Sequence, residues 1–178
     1  MRIAVASDIH GSYPAAEAFF YLAEKLGAER VILLGDLYYH GIRNPLPEGY
    51  APLKVAELLN EKADHLLVVK GNCDSDVDMT VSVFPFMTSL EVVLGKQTVY
   101  CTHGDKYCKD NLPKGKYDIF LYGHYHIGFI EKRGDLVIAN PGSLSLPKGG
   151  TAQSFLMIDD TSMTLYSLKG EPIDRVAL

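Results

Sequence analysis

The sequence predicts an α/β fold that begins with βαβ units and continues with strands joined by tight turns. Three continuous apolar runs, at residues 2–6, 31–34 and 65–69, are typical of parallel strands buried on both faces. The segments between these runs carry apolar residues at helical spacing, which predicts one helix in each connection. From about residue 81 onward, short apolar runs alternate with turn residues, which favours an antiparallel or mixed sheet.

The first predicted helix starts near Ser12, a good N-cap residue, and has Pro14 in its first turn. Its apolar spacing continues up to Gly27, and a second helix is predicted over residues 52–62. The connection over residues 37–51 is rich in Tyr, Pro and Gly, and a connection of that length in a compact domain is usually functional or mobile. We therefore expect residues 37–51 to form one wall of a site.

Strands of the second half are predicted where apolar runs end at turn residues. Residues 89–94 and 97–102 flank Gly95-Lys96 and predict a β-hairpin. The remaining predicted strands cover residues 118–122, 128–132, 136–139, 154–158 and 163–168. This order of elements permits two sheets that pack face to face.

Length and composition are those of an ordinary globular chain. The 178 residues are 47% hydrophobic and 22% charged, so we expect a single domain over residues 1–178 with one sizeable core. The formal net charge of −5 comes without a basic stripe, so nothing in the charge pattern favours nucleic acid as a partner. No apolar run is long enough to span a bilayer and no signal-like segment is present, which predicts a cytoplasmic protein without a membrane partner.

The chain has three cysteines, at positions 73, 101 and 108, which is an odd number without Cys-x-x-Cys spacing. This pattern argues against a disulfide framework and against a structural zinc site. We expect reduced thiols, in agreement with a cytoplasmic location.

Side chains that can bind metals follow five of the predicted strands. Taken singly, a polar residue at a strand end more often completes a turn or caps a helix. Here, however, four of the six histidines are among these residues, together with carboxylates and an amide: Asp8, His10, Asp36, Asn72, His103, His124 and His126. Seven oxygen and nitrogen donors exceed what one ion needs when water must also bind, and they suit two ions about 3.5–4 Å apart that share one carboxylate.

The order of these residues resembles that of the calcineurin-like metallophosphoesterases. That family combines Asp-x-His, Gly-Asp, Gly-Asn-His-Asp, a Gly-flanked His and Gly-His-x-His, and the sequence matches this pattern nearly throughout from residue 7 to residue 126. Within the family it resembles the small YfcE-type bacterial phosphodiesterases over nearly its whole length. The motifs that carry this similarity include Gly35-Asp36, Gly71-Asn72-Cys73-Asp74 and Asn140-Pro-Gly-Ser143.

The resemblance implies a four-layer αββα sandwich, in which two mixed β-sheets pack face to face and helices flank them. It also implies two divalent metal ions, with Mn²⁺ favoured, and Fe²⁺, Co²⁺ and Zn²⁺ also suit Asp, Asn and His ligands. Carried over residue by residue, the first ion would be held by Asp8, His10, Asp36 and His126. The second would be held by Asp36, Asn72, His103 and His124, so that Asp36 bridges the two ions.

The implied function is metal-dependent hydrolysis of a small-molecule phosphodiester. The two ions would hold the phosphate oxygens and deprotonate a bridging water, and the resulting hydroxide would attack phosphorus in line with the leaving alcohol. Two alternatives remain open, namely a phosphomonoesterase or protein phosphatase, and a non-catalytic protein-binding scaffold of the same fold. The presence of all seven donors argues against the scaffold.

Three further residues are candidate catalytic groups. Cys73 stands where most members of the family have a histidine that can protonate the leaving group, and a thiol of pKa about 8.5 is a poor replacement. The alternative is that Cys73 merely fills a tight turn. His40 and Arg43 lie in the loop after Asp36, where His can donate a proton and Arg can hold phosphate oxygens. The alternative for both is a solvated loop.

Aromatic and apolar residues in predicted loops indicate a subunit contact. These residues do not fit the periodic core positions: Tyr38, Tyr39, Tyr50, Phe84, Phe86 and Met87. Aromatic residues and Met are enriched in interface cores, so we expect a homo-oligomer, a dimer or a tetramer, that uses part of residues 38–50 or 76–88. The alternative is that these side chains pack in the core.

Overall fold

Twelve strands and three α-helices form the chain, which a computed structural model describes over residues 1–178. The helices are α1 (Tyr13–Lys25), α2 (Pro52–Glu61) and α3 (Asp76–Thr80). The strands are β1 (Ile3–Ala6), β2 (Arg30–Leu33), β3 (Leu66–Val69), β4 (Phe86–Met87), β5 (Leu90–Leu94), β6 (Gln97–Thr102), β7 (Ile119–Tyr122), β8 (Gly128–Arg133), β9 (Leu136–Pro141), β10 (Ser154–Ile158), β11 (Ser162–Ser167) and β12 (Pro172–Ala177).

The strands form two mixed sheets, which confirms the predicted fold class. The larger sheet has seven strands in the order β12-β11-β10-β1-β2-β3-β4, and the smaller has five in the order β5-β6-β7-β9-β8. Strands β1 to β4 run parallel to one another, and so do β6, β7 and β9. The remaining strands pair antiparallel, including the predicted hairpin of β5 and β6.

Alternate residues of the central strands divide between two apolar layers. Ile3 and Val5 of β1 belong to the cluster between the sheets, whereas Ala4 and Ala6 belong to the cluster under the helices. Because successive side chains point to opposite faces, a strand covered on both sides requires a continuous apolar run. Each fully buried Val, Leu, Ile or Phe side chain contributes about 1.5–3 kcal/mol of burial free energy.

The outer face of the five-stranded sheet is covered by irregular chain rather than by a helix. Phe120 and Tyr122 of β7 are buried there, and their rings stack with centroids 5.4 Å apart. Leu112 and Tyr117, from the segment between β6 and β7, pack against them. Helices α1 and α2 both lie on the seven-stranded sheet. Aromatic side chains therefore cover the outer face of the five-stranded sheet.

The structure corrects one local prediction and contains elements that were not predicted. Ser12 does not cap α1 through its side chain, because its hydroxyl donates to the carbonyl of Glu48 at 2.7 Å and so ties down the loop over residues 37–51. Helix α3 was not predicted, since its five residues are too few to show a helical period. Strand β12 was not predicted either, because it is almost entirely exposed and its sequence has no apolar alternation.

Candidate metal centre and active site

Five strand ends meet at one edge of the two packed sheets. The seven predicted donors follow β1 (Asp8, His10), β2 (Asp36), β3 (Asn72), β6 (His103) and β7 (His124, His126). Two hydrogen bonds cross directly between the sheets here. The Nδ1–H of His103 donates to the carbonyl of Leu34 at 2.6 Å, and the N–H of His124 donates to Asp8 Oδ2 at 2.9 Å. In an α/β protein this edge, beyond the carboxyl ends of parallel strands, is where ligands bind.

The backbone at five of these donors lies in the left-handed region. Asp8, His10, Asp36, His124 and His126 have φ between 49° and 66°, and no other non-glycine residue of the chain has a positive φ. Each such residue costs on the order of 1–3 kcal/mol and persists only where the surrounding structure fixes it. The concentration of this strain at the donors indicates that their side-chain directions serve a function.

The first donor group contains Asp8, His10 and His126. Oδ1 of Asp8 lies 3.1 Å from His126 Nε2 and 3.5 Å from His10 Nε2, and the two Nε2 atoms are 3.2 Å apart. Oδ1 of Asp8 is buried and has no hydrogen-bond partner. An unpaired buried carboxylate oxygen is costly, so this group requires a further positive partner.

The second donor group contains Asp36, Asn72, His103 and His124. Nε2 of His103 lies 3.4 Å from Asp36 Oδ2, 3.0 Å from Asn72 Oδ1 and 3.2 Å from His124 Nδ1. Oδ2 of Asp36 also lies 3.8 Å from His10 Nε2 in the first group. Asp36 is therefore the residue that the two groups share, at the position predicted for a bridging ligand.

The spacing and the lone pairs of the ring nitrogens in these groups suit binding to a metal ion better than hydrogen bonding to one another. His10 and His126 donate their Nδ1–H to the carbonyls of Tyr39 and Leu146, at 2.7 Å and 2.6 Å, which leaves a lone pair on each Nε2. Two lone pairs 3.2 Å apart repel unless a cation lies between them. Ligand atoms that lie about 2.0–2.1 Å from one ion are about 2.9–3.4 Å apart at octahedral or tetrahedral angles.

The carboxylates give the site a negative charge that a cation would balance. Although burial disfavours the charged form, the close approach of the His10 and His126 rings holds the pKa of Asp8 well below its ordinary value. Burial likewise opposes protonation of His103, but its contact with Asp36 raises its pKa to about 9. Divalent ions held by Asp8 and Asp36 would supply the same positive charge that these histidines otherwise take up as protons.

Asp74 supports the site, although nothing in the sequence distinguishes its role from that of the other residues of its motif. It is buried, and its carboxylate accepts hydrogen bonds from the N–H groups of Asp36 at 2.8 Å, Leu37 at 2.8 Å and Gly71 at 2.7 Å. Burial raises the pKa of Asp74 to about 6, and the three N–H donors oppose that rise. Asp74 thereby joins the loop of Asp36 to the loop of Asn72.

The Asn140-Pro-Gly-Ser143 turn also supports the donors from behind. Ser143 Oγ donates to the carbonyl of Asp8 at 2.7 Å, and Asn140 Nδ2 donates to the carbonyl of Gly123 at 2.8 Å. Both accepting carbonyls belong to the segments that carry strained donors. This motif therefore fixes the backbone around Asp8 and His124 without contributing a ligand.

Cys73 lies beside the donors. Its N–H donates to Asp36 Oδ1 at 2.8 Å, and its Sγ lies within 4.8 Å of ligand atoms of His10 and Asp36. Burial, together with the nearby charge of Asp36, raises the pKa of the thiol to about 12. At neutral pH the thiol is therefore protonated and is a very weak acid. Cys73, Cys101 and Cys108 are all free, as predicted.

His40 and Arg43 have different surroundings. The ring of His40 packs edge-on against Tyr39 and Tyr50, with centroids 4.7 Å and 5.5 Å away, and His40 is not among the residues that line the cavity described next. Its Nδ1 is buried without a hydrogen-bond partner. Arg43 is exposed and lines that cavity.

A cavity of about 750 Å³ opens over the donors. Asp36, Asn72, His124 and His126 line it, and the loop over residues 37–51 forms one wall, as expected. Sequence reasoning missed two lining residues, Tyr125 and Lys148. The position of Tyr125 between two histidine donors was a signal for its location, but nothing in the sequence around Lys148 indicated a site.

None of the helices combines the length and apolar character needed to span a membrane.

The chain is similar to known phosphoesterases in both sequence and structure. The calcineurin-like phosphoesterase superfamily domain matches residues 1–163. The chain is 45% identical over 175 residues to phosphodiesterase YfcE of Escherichia coli K12, covering 97% of this chain and 95% of that protein. It is 29% identical over 189 aligned positions to the probable metallophosphoesterase YsnB of Bacillus subtilis 168, covering 98% and 95%.

Among solved structures, that of the Escherichia coli phosphoesterase YfcE superposes with a TM-score of 0.95 at 43% identity, covering 99% of each chain. The fold described above therefore agrees with the sequence match. The chain belongs to the calcineurin-like phosphoesterase superfamily and is a metal-dependent phosphoric ester hydrolase.

Proposed function

We propose that this enzyme is a phosphodiesterase that hydrolyses a small phosphodiester with two divalent ions, of which Mn²⁺ is favoured. The observation that carries the proposal is the division of seven donors into two groups that share Asp36. The name of the 45% identical relative, a phosphodiesterase, supports the same reaction. Bound ions would neutralise phosphate oxygens and supply a nucleophilic water at neutral pH.

The residues of the chain would orient both the ions and the ester. Backbone carbonyls fix the rings of His10, His103 and His126, so their Nε2 lone pairs face the centre of the site. Arg43 lines the same cavity, where its guanidinium would hold oxygens of a phosphate group of the substrate in a fork. Asp36 is the one acidic residue that lines the cavity, so an anionic diester meets little repulsion there.

The direct test is hydrolysis of bis(4-nitrophenyl) phosphate by protein that has been stripped of metal and reloaded. We expect activity to return with Mn²⁺, with two ions per chain by elemental analysis, and 4-nitrophenyl phosphate to be the poorer substrate. Fe²⁺, Co²⁺ and Zn²⁺ also suit the oxygen and nitrogen ligands and belong in the same series. Two bound ions without hydrolysis of either ester would favour the scaffold, and faster hydrolysis of the monoester would favour a phosphomonoesterase.

Substitutions at Cys73 should separate the two ester classes. Hydrolysis of an alkyl monoester expels a basic alkoxide and gains most from a proton donor, which is typically worth about 10²–10⁴-fold. An aryl diester has a less basic leaving group and needs little such help. We expect Cys73→Ala to change kcat/KM for bis(4-nitrophenyl) phosphate by less than about fivefold. Cys73→His should raise monoesterase activity more than diesterase activity.

The measurement is kcat/KM for both ester classes at matched metal occupancy. Cys108→Ala is the matched control, because Cys108 is also a half-buried free thiol but does not line the cavity. A large loss of diesterase activity in Cys73→Ala alone would show that the thiol itself takes part, which this proposal denies.

His40 is proposed to position substrate through Tyr39. Its ring packs edge-on against Tyr39, which lines the cavity, so removing the ring should loosen that wall. We expect His40→Ala to lower kcat/KM for an aryl diester about tenfold, equal to about 1.4 kcal/mol, mainly through a higher KM. His65→Ala is the control, since His65 is exposed and lies away from the cavity. Unchanged kinetics in His40→Ala would remove His40 from the proposal.

A homo-oligomer is also proposed, in which exposed apolar residues of segments 38–50 and 76–88 form the contact. Tyr38 and Phe84 are buried and belong to the core, as the alternative predicted, whereas Ile42, Val77 and Val83 are 89%, 71% and 73% exposed. We expect light scattering at micromolar concentration to give more than one chain mass, and Val83→Glu to lower that mass. Val93→Glu, at an exposed position on β5, is the control. A monomeric wild-type protein would exclude this assembly.

A further inference from the structure

Two cationic side chains line the cavity and have no acidic partner. Arg43 extends from the loop over residues 37–51, and Lys148 from the segment that follows the Asn140-Pro-Gly-Ser143 turn. Neither forms any of the ion pairs of the chain. In a protein with a net charge of −5, two unpaired cations beside one cavity form a local positive field that attracts anions.

Hydrogen bonds fix the main chain at both Lys148 and Arg43. The N–H of Lys148 donates to the carbonyl of the donor His126 at 2.9 Å, and the N–H of Thr151 closes the turn onto the carbonyl of Lys148 at 3.1 Å. In the loop over residues 37–51, Asn44 Nδ2 donates to the carbonyl of His40 at 2.8 Å, which closes the turn that contains Arg43. Both cations therefore project from ordered segments next to the metal centre.

The charge of a simple diester does not account for these two cations. Two divalent ions held by the carboxylates of Asp8 and Asp36 would leave the centre itself positively charged, and a phosphodiester group carries a single negative charge. The centre alone would therefore neutralise the scissile phosphate. Arg43 and Lys148 add two further positive charges, which suit an additional anionic group.

The same cavity also has exposed aromatic surface. Tyr39 and Tyr125 line the cavity and are 42% and 47% exposed, so their rings offer flat apolar surface to an organic arm of the substrate. A nucleoside that carries phosphate at two positions has this combination of a flat ring and a second anion.

We propose that Lys148, together with Arg43, binds a second phosphate group, so that the preferred substrate is a phosphodiester with a further phosphate on one alcohol arm. The proposal rests on the proposed function, because it assigns the substrate class of the same site. Lys148 is the specificity-determining residue in this assignment, since the hydrogen bond from its N–H to the carbonyl of His126 fixes its backbone beside a donor.

Two thymidine esters test the proposal. They are the 4-nitrophenyl ester of thymidine 5′-phosphate and the same ester with an added 3′-phosphate, which share the scissile bond, the leaving group and the base. With the Mn²⁺-loaded enzyme we expect kcat/KM for nitrophenol release to be at least about tenfold higher for the 3′-phosphorylated ester at low ionic strength, and the preference to shrink as salt is added.

Variants locate the origin of this preference. Lys148→Gln should reduce the ratio of the two kcat/KM values about fivefold through KM, and the double variant Arg43→Gln, Lys148→Gln should bring the ratio close to one. Lys96→Gln is the matched control, since Lys96 is an exposed lysine in the β5–β6 turn, at the opposite end of β6 from His103. It should leave both rates and their ratio unchanged.

The outcomes separate the two proposals. Equal rates for both esters in the wild type would overturn the second-phosphate site while the phosphodiesterase stands. An equal loss for both esters in Lys148→Gln would place Lys148 on the scissile phosphate and also overturn it. If neither ester is hydrolysed, the proposed function fails, and binding of thymidine 3′,5′-bisphosphate against thymidine 5′-phosphate decides the site. Equal affinities would overturn it, and tighter bisphosphate binding that is lost in Lys148→Gln would support it.

Discussion

Replacing Asp36 with Asn is expected to lower kcat/KM for an aryl diester by at least about 10³-fold, equal to about 4 kcal/mol of transition-state stabilisation. Oδ2 of Asp36 lies 3.4 Å from His103 Nε2 and 3.8 Å from His10 Nε2, so the same oxygen faces both donor groups. A neutral amide would remove a negative charge from between two cations and would weaken the binding of both ions. The measurement is turnover together with metal stoichiometry after dialysis against a fixed free metal concentration.

Asp8→Asn is the informative comparison, because Asp8 belongs to the first donor group only. We expect Asp8→Asn to lose one ion preferentially, whereas Asp36→Asn should lose both. Asp135→Asn, at an exposed turn between β8 and β9, controls for the change of charge. An Asp36→Asn protein that keeps two ions and near-native turnover would refute the shared ligand.

Replacing Asp74 with Ala is expected to lower the free energy of unfolding by about 3 kcal/mol or more, because it leaves three N–H groups without their acceptor. Asp36, Leu37 and Gly71 donate these hydrogen bonds, so the loss also releases the loops that place the bridging ligand. Activity should therefore fall with stability. Urea unfolding followed by circular dichroism measures the change, and an unaltered m-value would show that the same transition is compared.

Asp76→Ala is the matched control, since the Asp76 side chain is 93% exposed and pairs only with Lys70 across 3.4 Å at the surface. Such a pair is worth about 0–1 kcal/mol, so the control should remain near wild type. Asp74→Asn keeps one acceptor oxygen and should fall between the two. If Asp74→Ala were as stable as Asp76→Ala, water would be replacing the carboxylate and the buried support described above would be wrong.

The sequence by itself determined the central strands of the fold and predicted the donors. Continuous apolar runs identified β1, β2 and β3 because a strand buried on both faces has no polar alternation. Polar residues at the ends of those runs then identified the donors, since parallel strands bring their carboxyl ends to one edge. Strands β4 and β12 and helix α3 were not predicted, because short or exposed elements show no apolar periodicity.

Only the tertiary structure decided how these residues act together. Backbone carbonyls accept hydrogen bonds from the Nδ1–H groups of His10 and His126, so the Nε2 atom of each ring is the one left to bind a metal. Asp8 Oδ1 is left without a hydrogen-bond partner. The tertiary structure placed Asp74 under Asp36, 38 positions away in the sequence, and brought Lys148 into the cavity through a bond to His126. The spacing of apolar side chains and the turn residues indicate only local conformation. These contacts depend on how the two sheets pack, which no local sequence pattern shows.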